Sequence, residues 1–100
     1  MNKNPLKLAI TIPAYNEEAT IGSVISEIPQ KIEGIDKVEV IVINDGSRDR
    51  TAEVAKEAGA DKIVQFPMNK GLAIAFKEGL NAAIESGAYL IVNYRCRWAV

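Results

Sequence analysis

The sequence predicts an α/β fold in which helices alternate with the strands of a mostly parallel sheet. Four short apolar runs, rich in β-branched residues, have the length of strands, and three segments with helical spacing lie between them. Alternation of this kind predicts βαβ units with right-handed crossovers. Because such sheets bind ligands beyond the carboxyl ends of their strands, we expect the functional residues in the loops that follow the strands.

The elements follow one another from residue 6 onwards. Strands are predicted at residues 6–12, 38–43, 62–66 and 88–92, and helices near residues 21–28, 51–58 and 72–84. We expect Asn16 and Asp49 to cap the first two helices. Pro29 should follow the end of the first helix, and Gly59 should form the C-terminal cap of the second.

Composition places the chain in the soluble globular class and excludes several functions. The 100 residues carry a formal charge of −1, with 48% hydrophobic and 25% charged residues. The sequence contains no basic patch of the kind that would indicate nucleic acid as a partner. One cysteine and no histidine exclude a disulfide framework or metal-binding Cys/His spacing, so we expect a reducing cytoplasm. The N-terminal residues predict neither a signal peptide nor a membrane span.

The loops after the strands contain no common nucleotide fingerprint. The first three strands are followed by "PAYNEE", "NDGSRDRT" and "PMNKG". A GxGxxG turn does not follow the first strand, and GxxxxGK[ST] occurs nowhere, which argues against an NAD-dependent or P-loop enzyme. A response-regulator receiver is disfavoured because the first of these loops begins with Pro13 instead of an acidic cluster.

Three motifs in order carry a more specific signal: "TIPAYNEEATI", "VIVINDGSRDRTAEVA" and "NKGLAIAFKEGLNAA". With them the sequence resembles glycosyltransferase family 2, the GT-A nucleotide-sugar transferases, and most of all the polyprenyl-phosphate mannosyl- and glucosyltransferases. The resemblance covers residues 6–93. It implies a Rossmann-like sheet that forms the N-terminal, nucleotide-binding half of a GT-A domain at residues 1–93, followed by an aberrant tail at residues 94–100.

The resemblance assigns the first loop to the nucleotide site. Pro13, Ala14, Tyr15 and Glu17 match the family's Pro-Ala-Tyr-Asn-Glu loop. An aromatic ring at Tyr15 offers a stacking surface for ribose or base, and a carboxylate at Glu17 accepts hydrogen bonds from ribose hydroxyls. The structural alternatives are loop packing for Tyr15 and compensation of the helix dipole for Glu17.

The second and third motifs extend the implied site. Asp45 matches the family residue that bonds the nucleobase edge, and Gly46 supplies the freedom of the turn. Most members have an acid before this Asp, where this chain has Asn44, which keeps an acceptor but loses the charge. Lys70 and Gly71 match a loop near the nucleotide; Lys70 would offset phosphate charge, or be an ordinary surface lysine.

The tail departs from the family. Members follow the fourth strand with an Asp-x-Asp motif that holds Mg²⁺ or Mn²⁺ on the diphosphate, but this chain has Tyr94, Arg95, Cys96 and Arg97. Deleting the first base of the Tyr94 codon allows the following bases to encode Thr-Asp-Ala-Asp-Gly-Gln. We therefore interpret residues 94–100 as the metal motif shifted out of frame, the alternative being an ordinary C-terminal segment.

The resemblance implies an inverting sugar transfer from a UDP- or GDP-sugar to an acceptor such as a polyprenyl phosphate, with Mg²⁺ or Mn²⁺ in the full-length protein. For this chain we assign no catalytic residue and no metal ligand, and expect a truncated, inactive fragment. Two alternatives stay open. They are a stand-alone nucleotide-binding module and a non-catalytic fragment that associates with a partner through an exposed sheet edge.

Overall fold

The computed structural model describes residues 6–96, which form a four-stranded parallel sheet covered by helices on both faces. The elements are β1 (Lys7–Ala14), α1 (Ile21–Ser26), β2 (Lys37–Asn44), α2 (Thr51–Ala58), β3 (Lys62–Gln65), α3 (Leu72–Glu85) and β4 (Leu90–Asn93). The strand order is β3-β2-β1-β4, and every neighbouring pair is parallel. The predicted α/β fold, with its order of elements, is therefore confirmed.

The core lies in two layers, one on each face of the sheet, because successive side chains of a strand point to opposite faces. On one face Ile12 of β1 packs in a cluster with Ile21 of α1. On the other face Ile43 of β2 packs in a cluster with Ala75 and Ala83 of α3. Full burial of one such isoleucine contributes about 1.5–3 kcal/mol. The continuous apolar run of β2 follows from this burial on both faces.

The first helix begins where its apolar spacing predicts, but the predicted N-terminal cap is wrong. Asn16 does not cap it: α1 starts at Ile21, and Asn16 has a left-handed backbone with φ 52°. The side chain of Asn16 instead accepts a hydrogen bond from Arg48 N–H at 2.9 Å, in the loop after β2. Asparagine tolerates this backbone region better than most residues. A contact between two loops distant in sequence has therefore replaced the local cap.

The other predicted helix signals agree with the structure more closely. Gly59 follows α2 with φ 111°, the left-handed conformation of a C-terminal cap. The N-cap position of α2 is occupied by Arg50 and not, as predicted, by Asp49, but the Asp49 carboxylate accepts a hydrogen bond from the N–H of Thr51, the first residue of the helix, at 3.0 Å. Pro29 follows the last residue of α1, Ser26, by three positions.

The first strand runs two residues beyond its predicted end and includes Pro13. Tyr94 N–H donates to the Thr11 carbonyl at 2.8 Å, so the backbone polar groups of odd-numbered β1 residues face β4. Pro13 lies on this side and has no N–H, and the pairing with β4 ends at Asn93. The proline thus lies where the ladder stops, which opens the carboxyl end of the sheet between β1 and β4.

A glycine brings the third helix close to the sheet. A Cβ on Gly79 of α3 would lie 2.9 Å from Cδ1 of Ile43 and 3.2 Å from Cβ of Thr11. The helix therefore packs on β1 and β2 at a distance that leaves almost no space for a side chain. Its N-terminus, at Leu72, is thereby held near the carboxyl ends of these strands.

The sheet edge at β4 is less covered than the centre. Leu90 and Val92 are exposed there, as are Phe76 and Ile84 on α3. None of the helices within residues 6–96 is long and apolar enough to cross a membrane.

Candidate functional site

Two adjoining cavities lie beyond the carboxyl ends of the strands. The first has a volume of about 350 Å³ and lies between the loop after β1, the start of α3 and the residues after β4. The second, of about 380 Å³, lies between the loops after β2 and β3. Tyr15 and Asn69 line both cavities and form the boundary between them. Together they make a cleft at the edge where parallel α/β sheets bind their ligands.

Most of the residues implied by the family resemblance meet in this cleft. Six of the eight line the first cavity: Pro13, Ala14, Tyr15, Glu17, Asp45 and Gly71. Gly46 lines the second cavity. Lys70 lines neither, and its ammonium lies 5.0 Å from the centroid of the Phe66 ring, in a cation–π contact.

Sequence reasoning left out several residues that line the cleft. Leu72, Arg95 and Cys96 line the first cavity, and Arg48 and Met68 line the second. Arg95 and Cys96 directly follow β4, so the rule that sites lie at strand ends indicated them. They were left out because residues 94–100 were interpreted as a motif shifted out of frame. Arg97 and the residues after it lie outside the described range.

Asp45 holds the loop that leads into α3. Its side chain is almost completely buried and accepts three hydrogen bonds. The donors are Lys70 N–H at 2.7 Å, Gly71 N–H at 3.0 Å and the Asn69 side-chain amide at 3.1 Å. A carboxylate has about four acceptor positions, so little capacity is left for a ligand. Contact between Asp45 and a nucleobase stays a prediction, but its role in positioning residues 69–71 is visible.

Gly46 is required by a close approach between two loops. Its φ is 70°, in the left-handed region that favours glycine. A Cβ on this residue would lie 2.2 Å from the carbonyl carbon of Met68 and 2.3 Å from the backbone nitrogen of Asn69. The obstructing atoms belong to the backbone, so they do not move aside by a rotamer change. The loop after β3 therefore packs directly on the turn after β2.

Asn44, which replaces the acid found in most family members, is buried and uses both ends of its amide. Its Nδ2 donates to Oε1 of Gln65 at 2.9 Å, and its Oδ1 accepts from Ser47 N–H at 3.3 Å. Nε2 of Gln65 donates in turn to the Phe66 carbonyl at 3.0 Å. The neutral amide is thus matched to its cross-strand neighbour on β3, and no charge is buried beside Asp45.

The loop after β1 is fixed to the start of α2. Glu17 N–H donates to the Thr51 hydroxyl at 2.8 Å, and Glu18 N–H donates to the Asp49 carboxylate at 3.2 Å. Burial would raise the pKa of Asp49, but hydrogen bonds from Thr51 and Glu18 outweigh it and hold the pKa below its ordinary value. These bonds hold Glu17 and Glu18 against the start of α2.

Cys96 is half-buried in the first cavity and packs against the core cluster that includes Ile12 of β1 and Ile21 of α1. Burial, with a smaller effect of the Glu17 carboxylate, raises the pKa of its thiol to about 11. The sulfur is therefore protonated at neutral pH. A thiol in this state is a poor nucleophile and a poor metal ligand.

The fold and the position of the cleft define an α/β domain of the kind that binds ligands at the carboxyl ends of its strands. A sequence model of glycosyl transferase family 2 matches residues 9–92. The chain therefore belongs to glycosyltransferase family 2, as its motifs indicated.

Two curated relatives are named as dolichyl-phosphate or dolichol-phosphate sugar transferases. The dolichyl-phosphate hexose transferase of Haloferax volcanii is 43% identical over 67 residues, which make up 67% of this chain and 28% of the relative. The dolichol-phosphate mannosyltransferase of Pyrococcus furiosus is 32% identical over 90 residues, covering 87% of this chain and 25% of the relative. The chain therefore spans about a quarter of the length of these relatives.

Solved structures agree with the fold. Glucosyl-3-phosphoglycerate synthase from Mycobacterium tuberculosis, in complex with Mn²⁺, UDP and glucosyl-3-phosphoglycerate, superposes with a TM-score of 0.72 at 31% identity. The alignment covers 91% of this chain and 33% of the synthase. The same synthase has also been solved with Mg²⁺ and UDP. The GT-A type of α/β fold is thus confirmed, and structural neighbours bind a nucleotide together with a divalent cation.

The residues that line this cleft do not fit such a cation. No three Asp, Glu, His or Cys side chains come together as a metal-binding group within residues 6–96. Of the two carboxylates in the first cavity, Asp45 is occupied by three donors, and Glu17 accepts the Thr20 hydroxyl at 2.8 Å. The residues after β4 that line the cavity are the cation Arg95 and the protonated thiol Cys96, neither of which is a carboxylate. This donor set differs from the carboxylate ligands that Mg²⁺ and Mn²⁺ prefer.

Proposed function

We propose that this chain binds the nucleotide part of a nucleotide-diphosphate sugar in the cleft beyond the carboxyl ends of β1 to β4. The observation that supports this most strongly is the convergence of residues from three separate motifs on one cavity. Tyr15, Asp45 and Gly71 come from different loops but line the same space of about 350 Å³. Structural neighbours that share 31% identity bind UDP.

The proposed roles follow from exposure and hydrogen-bonding capacity. Tyr15 is 46% exposed at the boundary of the two cavities, so its ring is available for stacking on a base or ribose. Glu17 would accept hydrogen bonds from ribose hydroxyls. Asp45 and Gly46 would shape the base subsite, with Asp45 acting mainly through residues 69–71. Lys70 would approach the phosphates after leaving the Phe66 ring.

For the whole protein we propose inverting transfer of a sugar from a UDP- or GDP-sugar to an acceptor such as a polyprenyl phosphate. The names of the Haloferax volcanii and Pyrococcus furiosus relatives support this acceptor class. We propose residues 1–93 as the nucleotide-binding half of the transferase domain. The cytoplasm stays the proposed compartment, since the chain has a single cysteine.

We further propose that the 100-residue chain has no transferase activity by itself. Charge develops on the departing diphosphate during sugar transfer, and family members neutralise it with a metal that these residues do not fit. Incubation of the pure chain with UDP-glucose or GDP-mannose and a polyprenyl phosphate should give no product. Metal-dependent turnover would contradict this part of the proposal.

The frameshift interpretation of residues 94–100 is tested on the gene. Sequencing through these codons and several hundred bases beyond should show that removal of one base restores Asp-Ala-Asp-Gly-Gln and opens a long reading frame. If no such frame exists, the tail is a native segment of this protein.

The exposed edge of the sheet favours a second function, a non-catalytic fragment that associates with a partner. Leu90 and Val92 on β4 and Phe76 and Ile84 on α3 expose apolar surface. Unpaired strand edges recruit other chains. Light scattering during gel filtration separates the two functions: a monomer that binds nucleotide supports the first, and an oligomer that does not bind supports the second.

The nucleotide proposal is tested by titration calorimetry of the chain with UDP and GDP. Binding of at least one of them is expected, and Tyr15→Ala should weaken it by about fivefold or more, since stacking on an aromatic ring contributes about 1–3 kcal/mol. Tyr89→Ala is the matched control because Tyr89 is also exposed but precedes β4, at the opposite end of the sheet. Equal effects of the two substitutions, or no binding at all, would contradict the proposal.

A further inference from the structure

The first cavity carries a cation at the place where the family's metal motif is expected. Tyr94 donates the N–H that closes the β1–β4 ladder, and Arg95, the next residue, is exposed and is one of the residues that line the cavity. Since the donor set does not fit Mg²⁺ or Mn²⁺, another source of positive charge is needed beside a bound diphosphate. We propose that the chain binds the diphosphate of a nucleotide without a divalent cation, with the Arg95 guanidinium as its counter-charge.

This inference rests on the proposed nucleotide site and adds the means by which the diphosphate is held. A guanidinium is permanently charged and presents paired N–H donors that match two oxygens of a phosphate. Arg95 is exposed and makes no hydrogen bond or salt bridge within residues 6–96. Its donors are therefore available to a ligand, whereas Arg50 is paired with Glu53 at 2.9 Å.

The start of α3 supports an anion in the same cavity. Gly71 and Leu72 line it together with Arg95. The helix has 14 residues, and its first N–H groups have no acceptor within the helix, so its N-terminus carries partial positive charge. Lys70 and Gly71 donate their N–H groups to Asp45. The N–H groups of the first turn, which begins at Leu72, therefore remain for an anion. Arg95 and this helix end thus approach the cavity from two different elements.

The two carboxylates of the cavity already accept hydrogen bonds from other groups, so they are not paired with Arg95. Asp45 accepts three internal hydrogen bonds, which direct its carboxylate at residues 69–71. Glu17 accepts the Thr20 hydroxyl and belongs to the loop after β1, beside the proposed ribose position. The inference holds for the chain with Arg95 in place, whatever the origin of its tail.

The first test compares UDP binding in excess EDTA with binding in saturating Mn²⁺, by titration calorimetry of the 100-residue chain. We expect the two dissociation constants to agree within about twofold, a difference below about 0.5 kcal/mol. Binding that occurs only with Mn²⁺ would overturn the inference and leave the nucleotide site intact. Absence of binding by both UDP and uridine would overturn the nucleotide proposal itself.

The second test uses Arg95→Gln, which removes the charge at an exposed position and is expected to fold. It should weaken UDP by about three- to tenfold and leave the affinity for uridine unchanged, because uridine has no phosphate. Arg50→Gln makes the same change in charge outside both cavities and should leave UDP affinity unchanged. If the Arg95 and Arg50 variants bind UDP alike, Arg95 is not the counter-charge. An equal loss for UDP and uridine would assign Arg95 a structural role.

Discussion

The Asp45 carboxylate and the Lys70 N–H, 25 residues apart in sequence, form a hydrogen bond of 2.7 Å beneath the cleft. With the N–H of Gly71 and the amide of Asn69, this bond fastens the loop before α3 to the end of β2. Asp45 therefore fixes the position of one wall of the cleft. Its substitution should affect stability and nucleotide binding together.

Replacing Asp45 by asparagine should lower the free energy of unfolding by about 1–3 kcal/mol. The NH₂ group of the new amide would face at least one of the three groups that now donate to the carboxylate, and that group would lose its hydrogen bond. Urea denaturation measures the change. Glu33→Gln is a matched control, since Glu33 is exposed and the substitution also exchanges a carboxylate for an amide. Equal stability of the two variants would show that the bonds of Asp45 contribute nothing.

Alanine at Gly46 should destabilise the protein by about 2 kcal/mol or more, because it adds a backbone clash to the cost of a left-handed φ. Alanine at Gly34 measures the cost of a left-handed φ alone. The φ of Gly34 is 88°, but apart from its chain neighbours no atom lies within 4 Å of the place that a Cβ would take. The Gly34 variant should lose only about 1 kcal/mol. Thermal unfolding of both variants measures the difference, and similar losses would contradict the close approach of Met68.

Changing Asn44 to aspartate should restore the family's usual acid at the expense of stability. The new carboxylate would be buried beside Asp45 and would face Oε1 of Gln65, so its pKa should be raised. A carboxyl group with a raised pKa in the folded state destabilises increasingly as pH rises above its unfolded value. Stability relative to wild type should therefore fall between acidic and neutral pH, whereas exposed Asn81→Asp should show no such trend.

Asp49 should give the opposite pH dependence. Its pKa is lowered in the folded state, so the stability it contributes is present above the ordinary aspartate value of 3.8 and is lost as pH falls through the lowered value. Urea unfolding at neutral and acidic pH should show a steeper loss for wild type than for Asp49→Asn. Parallel pH profiles of the two proteins would contradict the hydrogen bonds from Thr51 and Glu18.

The thiol of Cys96 should react slowly with iodoacetamide at pH 8, at least about tenfold slower than a free cysteine, because the thiolate is the reactive species. Glu17→Gln should speed the reaction slightly, since the Glu17 carboxylate contributes to the raised pKa. A rate equal to that of the unfolded chain would show that Cys96 is not buried against β1 and α1.

The sequence predicted the fold and most of the cleft because both depend on local patterns. Alternating apolar runs and helical spacing located all seven elements, and the loops after the strands located Tyr15 and Asp45. Contacts between loops that are distant in the sequence could not be predicted from it. The bond from Arg48 to Asn16, which replaces a helix cap, and the contact of Lys70 with Phe66 depend on tertiary placement. Arg95 was missed because its residue type departs from the family motif, although its position at a strand end indicated it.

The central claim is that nucleotides bind in the cleft beyond the carboxyl ends of the strands. It is tested most directly by ¹H–¹⁵N NMR spectra of the chain titrated with UDP and GDP. The account predicts saturable shifts, for at least one nucleotide, concentrated at Tyr15, Glu17 and Gly71, with none at Tyr89 and Leu90 on the opposite end of the sheet. An absence of saturable shifts, or shifts centred on that opposite end, would contradict it.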